Sequence, residues 1–362
     1  MPITPVITRP TAILIVGQSY GANGYGNGLA HYCVQERVRL AFEANPSAVS
    51  ARLAGNPAII TGAAVPQRRN VCVSGSSVLA KHDAGSGYWV GNDGITAGPL
   101  LTTAVNAIGT YPAIQKPTMI IYNHWEANVG FTLVPADVAL VRAAVENTLF
   151  PQLRTACFAA SPTSIPIFCD ILGPRFAGNE AAEYAYRDAM LDMIAAGTNV
   201  FRGAEKYALV LDLTIHPVSG LTGYSQMGAH TGRKIESWLL TGQTLAGPTI
   251  ASAVRTVNSV AVTITVPSGK TLITPAQPDF FGLFDGAGAA IPVTNWSWSG
   301  NVLTLSAASP AASLRYPVPL RVGSGPTKPA DINKIVRLTA PSDPLFPGEP
   351  GLVLESAKAF TL

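Results

Sequence analysis

The sequence predicts an α/β protein, a parallel sheet covered by helices, joined to a small antiparallel β-domain. Three observations carry this. Residues 1–245 contain short runs rich in Val, Ile, Leu, Met and Tyr, at 12–17, 70–74, 117–123, 165–171 and 207–212. Each run is bounded by Pro, Gly, Asn or Asp, as fully buried parallel strands are. Helical spacing fills the intervals, giving the β-α-β-α alternation of one sheet with helices on both faces. After Gly247-Pro248 the helical period vanishes and alternating, turn-punctuated runs take its place.

In chain order, the first strand (12–17, AILIVG) ends at Gly17-Gln18-Ser19 and runs into GANGYGNG, residues 21–28. A buried strand stopping there puts the Ser19 hydroxyl at the C-terminal rim of the sheet, where such folds build their sites. A turn serine or helix N-cap is the competing reading of Ser19 taken alone. Helical patterns follow at 29–42, 97–107, 135–158, 179–197 and 226–241. Pro135 starts the third of these, and Pro151 is expected to kink or divide it. Beyond residue 245 the strand candidates are SAVRTVNSVAVTITV (252–266), DFFGLFD (279–285), VTNWSWSGNVLTLSA (293–307) and SLRYPVPLRVG (313–323). Pro267-Ser268-Gly269 and Ser299-Gly300-Asn301 supply turns between them, and a β-sandwich is the expected form. The expected boundaries are 1–245, 246–325, and a Pro-rich, strand-poor extension over 326–362.

Composition narrows the function classes. Of 362 residues, 48% are hydrophobic and 12% charged, which makes a core-rich globular chain and excludes a disordered one. The 24 basic and 21 acidic residues leave a net charge of +3 without long runs, so neither a nucleic-acid surface nor a polybasic membrane patch is expected. No apolar stretch approaches the roughly 20 residues that span a bilayer. The N-terminal MPITPVITRPT lacks the basic and apolar regions of a signal peptide. Cys33, Cys72, Cys157 and Cys169 show no metal-ligand spacing, and buried free thiols are expected, with a Cys157–Cys169 pair as the alternative in an oxidising compartment. No metal and no cofactor are expected. The glycines around Tyr25 fit no GxGxxG register and no GK[ST] follows, which excludes a nucleotide loop.

Four blocks carry chemistry. They are Gly17-Gln18-Ser19; Val71-Cys72-Val73-Ser74-Gly75-Ser76-Ser77; Tyr122-Asn123-His124-Trp125-Glu126-Ala127-Asn128; and Asp212-Leu213-Thr214-Ile215-His216-Pro217. Their order resembles that of the SGNH/GDSL hydrolases, and within them the sialate O-acetylesterase-like and acetylxylan-esterase-like carbohydrate esterases, over roughly residues 11–241. The resemblance implies a flavodoxin-like three-layer α/β/α domain. It makes Ser19 the nucleophile and His216 the general base. It places an oxyanion hole at the Ser19 and Gly75 backbone N–H groups, completed by a side chain of the third block, Asn123 or His124. Glu126 matches a family glutamate that braces the nucleophile loop together with Gln18.

The chemistry agrees with these roles. A serine hydroxyl needs an adjacent base at neutral pH, and imidazole is suited to the task. Each preorganised donor facing the developing oxyanion contributes roughly 3 kcal/mol. The usual orienting acid stands three residues before the histidine, where this chain has Leu213. Asp212, four before, completes a triad if a bulge lets it reach His216; otherwise a dyad operates, with a backbone carbonyl or Glu126 holding the imidazole. Trp125, Tyr20 and Asn128 are candidate substrate contacts, and Tyr25, Tyr88 and Trp89 are expected to rim the same pocket. His31 and His82, lacking motif company, are expected at the surface, and His230 is read as structural.

The expected activity is removal of O-acetyl groups from a carbohydrate, without nucleic acid or membrane as partner. The two-part layout is similar to that of phage-tail deacetylases, so extracellular or virion-associated action and homo-oligomeric or virion assembly are expectations too. Two alternatives stand beside it: an aryl or acyl esterase or lipase of the same family, and a non-enzymatic glycan-binding or phage structural protein on a hydrolase fold.

Overall fold

The structure, a computed structural model, describes residues 12–25, 29–52, 67–112, 116–130, 134–157, 165–173, 180–210, 217, 223–318, 332–339 and 351–362. These residues form two compact units. One comprises the described residues up to Leu172 with Ala185–Ala204 and Met227–Leu245; the other comprises Gly173–Tyr184, Glu205–Gln226 and Ala246–Leu362.

The first unit is organised by a five-stranded sheet of β1 (Ala12–Gly17), β2 (Gln67–Asn70), β5 (Pro117–Asn123), β6 (Ile167–Ile171) and β7 (Val200–Glu205), in the order β2-β1-β5-β6-β7. β1 pairs in parallel with β2 and β5, and β5 pairs in parallel with β6. Numbered within the sheet alone this is order 2-1-3-4-5, the flavodoxin-like doubly wound pattern. β1, β5 and β6 are buried along their whole length, which explains their unbroken apolar sequences. Each fully buried Ile, Leu or Val there contributes about 1.5–3 kcal/mol. A short parallel pair, β3 (Ser77–Leu79) with β4 (Tyr88–Val90), lies between β2 and β5 in sequence.

The helices begin where the residues dictate. They are α1 (Leu29–Ala44), α2 (Pro46–Arg52), α3 (Pro99–Gly109), α4 (Glu126–Val129), α5 (Pro135–Ala144), α6 (Phe150–Ala156), α7 (Glu180–Ala196) and α8 (Tyr224–Thr241). Pro99 and Pro135 open α3 and α5, where a missing N–H costs nothing. Leu101, Ala104 and Ile108 form the buried stripe of α3, and Val138, Val141 and Ala144 that of α5. Pro151 divides the long segment as the sequence suggests. A π-helical turn, Val145–Leu149, separates α5 from α6, and Pro151 stands in the first turn of α6.

Two strands depart from expectation. The fifth strand lies at Val200–Glu205 instead of 207–212. Lys206–Ala208 form a 3-10 turn, and residues 211–212 lie outside the described residues. β7 is an edge strand with half-buried Phe201 and Arg202, so its sequence lacks the continuous apolar run that identifies the central strands. β2 occupies Gln67–Asn70, but the ladder continues through Val71 N–H to Ile15 O and Val73 N–H to Gly17 O.

The second unit contains an antiparallel sandwich. One sheet has the order β13 (Val293–Ser299), β14 (Val302–Ala307), β9 (Ser259–Thr265), β8 (Thr249–Thr256). The other has the order β12 (Ala290–Ile291), β11 (Gly282–Phe284), β15 (Ser313–Tyr316), β17 (Ala357–Thr361). Alternate residues point inward: Val260, Val262, Ile264, Leu303 and Leu305 of the first sheet share one core with Leu283, Ile291 and Leu314 of the second. The expected strand-poor extension, 326–362, holds two strands among its described residues. β16 (Arg337–Leu338) pairs with β10 (Leu272–Ile273), and β17 completes the second sheet beside β15. All four cysteines are free thiols.

Candidate active site

In a 2-1-3-4-5 sheet the winding direction reverses between β1 and its neighbour β5, opening a crevice at their C-terminal ends. The first three sequence blocks meet there. Gly17 ends β1 with φ +154°, and a Cβ on it would lie 1.8 Å from the Asn123 carbonyl oxygen. Only glycine lets β1 and β5 converge so closely. Gln18 N–H donates to that same carbonyl at 3.0 Å. Val73 N–H donates to Gly17 O at 3.1 Å, bringing the second block to the end of β1.

Gln18 is buried and engages the third block with both ends of its amide. Its Nε2 donates to Glu126 Oε2 at 2.7 Å, and its Oε1 accepts from Ala127 N–H at 3.0 Å. Ser19 follows, half-buried, and the chain then coils through a π-helical turn, Gly21–Tyr25. Ser19 thus stands at the crevice between a locked glutamine and a wide turn. Gly75, exposed with φ +75°, turns the second block through a conformation natural only to glycine. A Cβ there would lie 2.7 Å from Ser86 Oγ.

The third block turns inward. Asn123 is fully buried and its Nδ2 donates to Asp170 Oδ2 at 2.8 Å, with Met227 Sδ at 3.5 Å as a second, weak acceptor. His124 is fully buried as well. Its Nδ1 accepts from Trp125 N–H at 2.7 Å, which leaves the proton on Nε2, 3.4 Å from Ser76 Oγ. Ser76 Oγ also accepts from Trp89 Nε1 at 3.1 Å, and the His124 ring stacks on Tyr122 at 5.9 Å. Trp125, at φ 88°, is buried with its indole N–H donated to Tyr122 OH at 2.8 Å. Asn128 is buried; its Nδ2 meets His82 Nδ1 at 2.9 Å. Tyr20, Tyr25 and Trp89 are buried too, while Tyr88 is half-buried.

His31 and His82, expected at the surface, are both buried. His31 lies in register with Val34, Val38 and Phe42 on the inward stripe of α1. His82 is held between Asn128 and Asp137, with Nε2 3.2 Å from Asp137 Oδ2, a partner 55 positions away that no local pattern reveals. Lys81 also reaches Asp137 and is the main cause that lowers its carboxyl below the ordinary range. His230 is buried on α8.

One residue of this region escapes motif reading altogether. Asp170, at the C-terminal end of β6, is completely buried and accepts from Tyr25 OH (2.9 Å), Asn123 Nδ2 (2.8 Å), Ala204 N–H (2.9 Å) and Thr231 Oγ1 (2.6 Å). Its signal was a lone acid inside the apolar run IPIFCDIL. Burial, then the Asp170 charge, raises the Tyr25 phenol well above its ordinary range, so Tyr25 remains a donor. Asp212 and His216 lie outside the described residues. Among the described residues no group of three or more His, Cys, Asp or Glu is arranged to hold a metal ion, and no helix is long and apolar enough to cross a membrane.

No family model and no curated protein sequence matches the chain. Among solved structures, its fold is similar to that of a carbohydrate acetylesterase from Xanthomonas citri, with a TM-score of 0.54 and 15% identity, covering 84% of this chain and 74% of that one. The two proteins share a fold.

Proposed function

We propose that the chain is a serine esterase that removes O-acetyl groups from a carbohydrate. The observation that carries this reading is Ser19 at the crevice between β1 and β5, on a fold shared with a carbohydrate acetylesterase. Ser19 Oγ attacks the acetyl carbonyl as His216 takes its proton. The tetrahedral oxyanion is held by the Ser19 and Gly75 N–H groups. Collapse expels the sugar oxygen, which receives the proton from His216. Water, deprotonated by His216, then attacks the acyl-enzyme and releases acetate, restoring Ser19.

Asn123 or His124 supplies the third oxyanion donor from the third block. Asp212 is assigned to orient His216.

Hydrolysis of p-nitrophenyl acetate and of a panel of acetylated glycans tests the reading, comparing the wild type with Ser19→Ala and His216→Ala. Both variants are expected to lose at least about 1,000-fold in turnover while keeping their fold. Turnover retained in Ser19→Ala would overturn the assignment.

A further inference from the structure

We propose that Asp170 is a positioning residue that holds the Ser19 segment in its reactive geometry through Tyr25 and Asn123. The proposal rests on the esterase reading and extends it to a residue with no place in the sequence blocks.

The argument starts from the cost of burying a carboxylate. A fully buried charge persists only where hydrogen bonds replace its water, and four donors among the described residues reach Asp170, two on each oxygen. The donors come from separate places: the turn after Ser19, the end of β5, the edge strand β7 and helix α8. β7 reaches the carboxylate only because residue 203 is glycine; a Cβ there would lie 2.2 Å from Asp170 Oδ1.

Two of the four contacts close a ring around Ser19. Before the serine, Gln18 N–H is bonded to the Asn123 carbonyl. After it, Tyr25 OH is bonded to Asp170, which in turn holds the Asn123 amide. The six residues from Ser19 to Gly24, with Ala22 N–H bonded back to Gln18 O at 2.7 Å, therefore run between two anchors joined through Asn123 and Asp170. The π-helical turn Gly21–Tyr25 ends at the second anchor, so the Tyr25–Asp170 bond sets where that turn, and the serine before it, sits. The other two contacts, from Ala204 N–H and Thr231 Oγ1, fix Asp170 from the opposite side, and the Thr231 hydroxyl also interacts with the Tyr25 phenol, so the same cluster grips the carboxylate and the anchor together.

The link from the carboxylate to the serine segment supplies the test. Tyr25→Phe cuts it at the phenol, and Ile108→Val, which trims a fully buried side chain of α3 that belongs to none of the site blocks, weakens the fold without touching it. Kinetics with p-nitrophenyl acetate and melting temperatures are measured for the wild type, both single variants, Asp170→Asn, and the Tyr25→Phe/Asp170→Asn double variant. Tyr25→Phe is expected to lower kcat about 10- to 100-fold with KM within about twofold, the effect of a misplaced reacting atom. Ile108→Val is expected to lose thermal stability with kcat within about twofold. The double variant is expected to be no slower than Asp170→Asn alone, because both changes break one link. Wild-type kcat in Tyr25→Phe, or kcat falling in step with stability in both single variants, overturns the proposal and leaves the esterase reading standing. A wild type without turnover overturns both.

Discussion

Gln18 and Glu126, 108 positions apart, are joined by a buried hydrogen bond of 2.7 Å that ties the residue before Ser19 to the start of α4. A buried amide facing a carboxylate holds its geometry better than a surface contact, since losing the partner strands a desolvated donor. Glu126→Ala is therefore expected to destabilise the chain by about 1–3 kcal/mol and to lower esterase turnover, with Glu126→Gln milder in both. Urea unfolding and p-nitrophenyl acetate kinetics on the two variants check this. A Glu126→Ala protein as stable and as active as the wild type would show the bond to be incidental.

Gly17→Ala is expected to be far more damaging. The added methyl meets the Asn123 carbonyl at 1.8 Å, and backbone cannot yield as a flexible side chain does. A loss of about 3 kcal/mol or more follows, since β1 and β5 must separate. Thermal unfolding measures it; a loss below about 1 kcal/mol would mean that the strands do not converge there.

Val257 offers the opposite change. It sits in the β8–β9 turn at φ 48° with 79% of its surface exposed, so a β-branched residue holds a left-handed conformation with almost no packing to compensate. Val257→Asn is expected to stabilise the protein by about 1 kcal/mol without changing activity. An unchanged or lower denaturation midpoint would contradict the turn geometry.

Burial pushes the Cys157 thiol up to about 12. Two results follow. Iodoacetamide at pH 8 should label Cys157 much more slowly in the native protein than in urea. The folded thiol holds its proton more tightly than an unfolded one at about 8.5, so this stabilisation is complete below about pH 8.5 and is lost as pH rises toward 12, at up to about 1.4 kcal/mol per pH unit. Denaturant midpoints at pH 7, 9 and 10.5 should fall in that order. Equal labelling rates in native and unfolded protein would show the thiol to be accessible.

The central strands were legible because burial on both faces demands an unbroken apolar run, and β1, β5 and β6 carry one. The same logic misled at β7, where an edge position tolerates Phe201-Arg202-Gly203 while Tyr207 and Ala208 belong to a 3-10 turn. Ser19, Gln18 and Glu126 could be singled out because they fall in short blocks. Asp170 could not, since its partners Tyr25, Asn123 and Thr231 lie 145, 47 and 61 positions away. The surroundings of Trp125 were not legible either, since a sequence does not say which side of a strand end an aromatic takes; its left-handed backbone turns the indole onto Tyr122.

The nucleophile can be tested without any assumption about the natural glycan. The chain is treated with a small dialkyl fluorophosphate, the adduct is located by peptide mass mapping, and p-nitrophenyl acetate hydrolysis is followed in parallel. The account predicts one phosphoryl group per chain, on Ser19, with hydrolysis lost in proportion to labelling. An adduct on a different serine, or full hydrolysis by a chain fully labelled at Ser19, would contradict it.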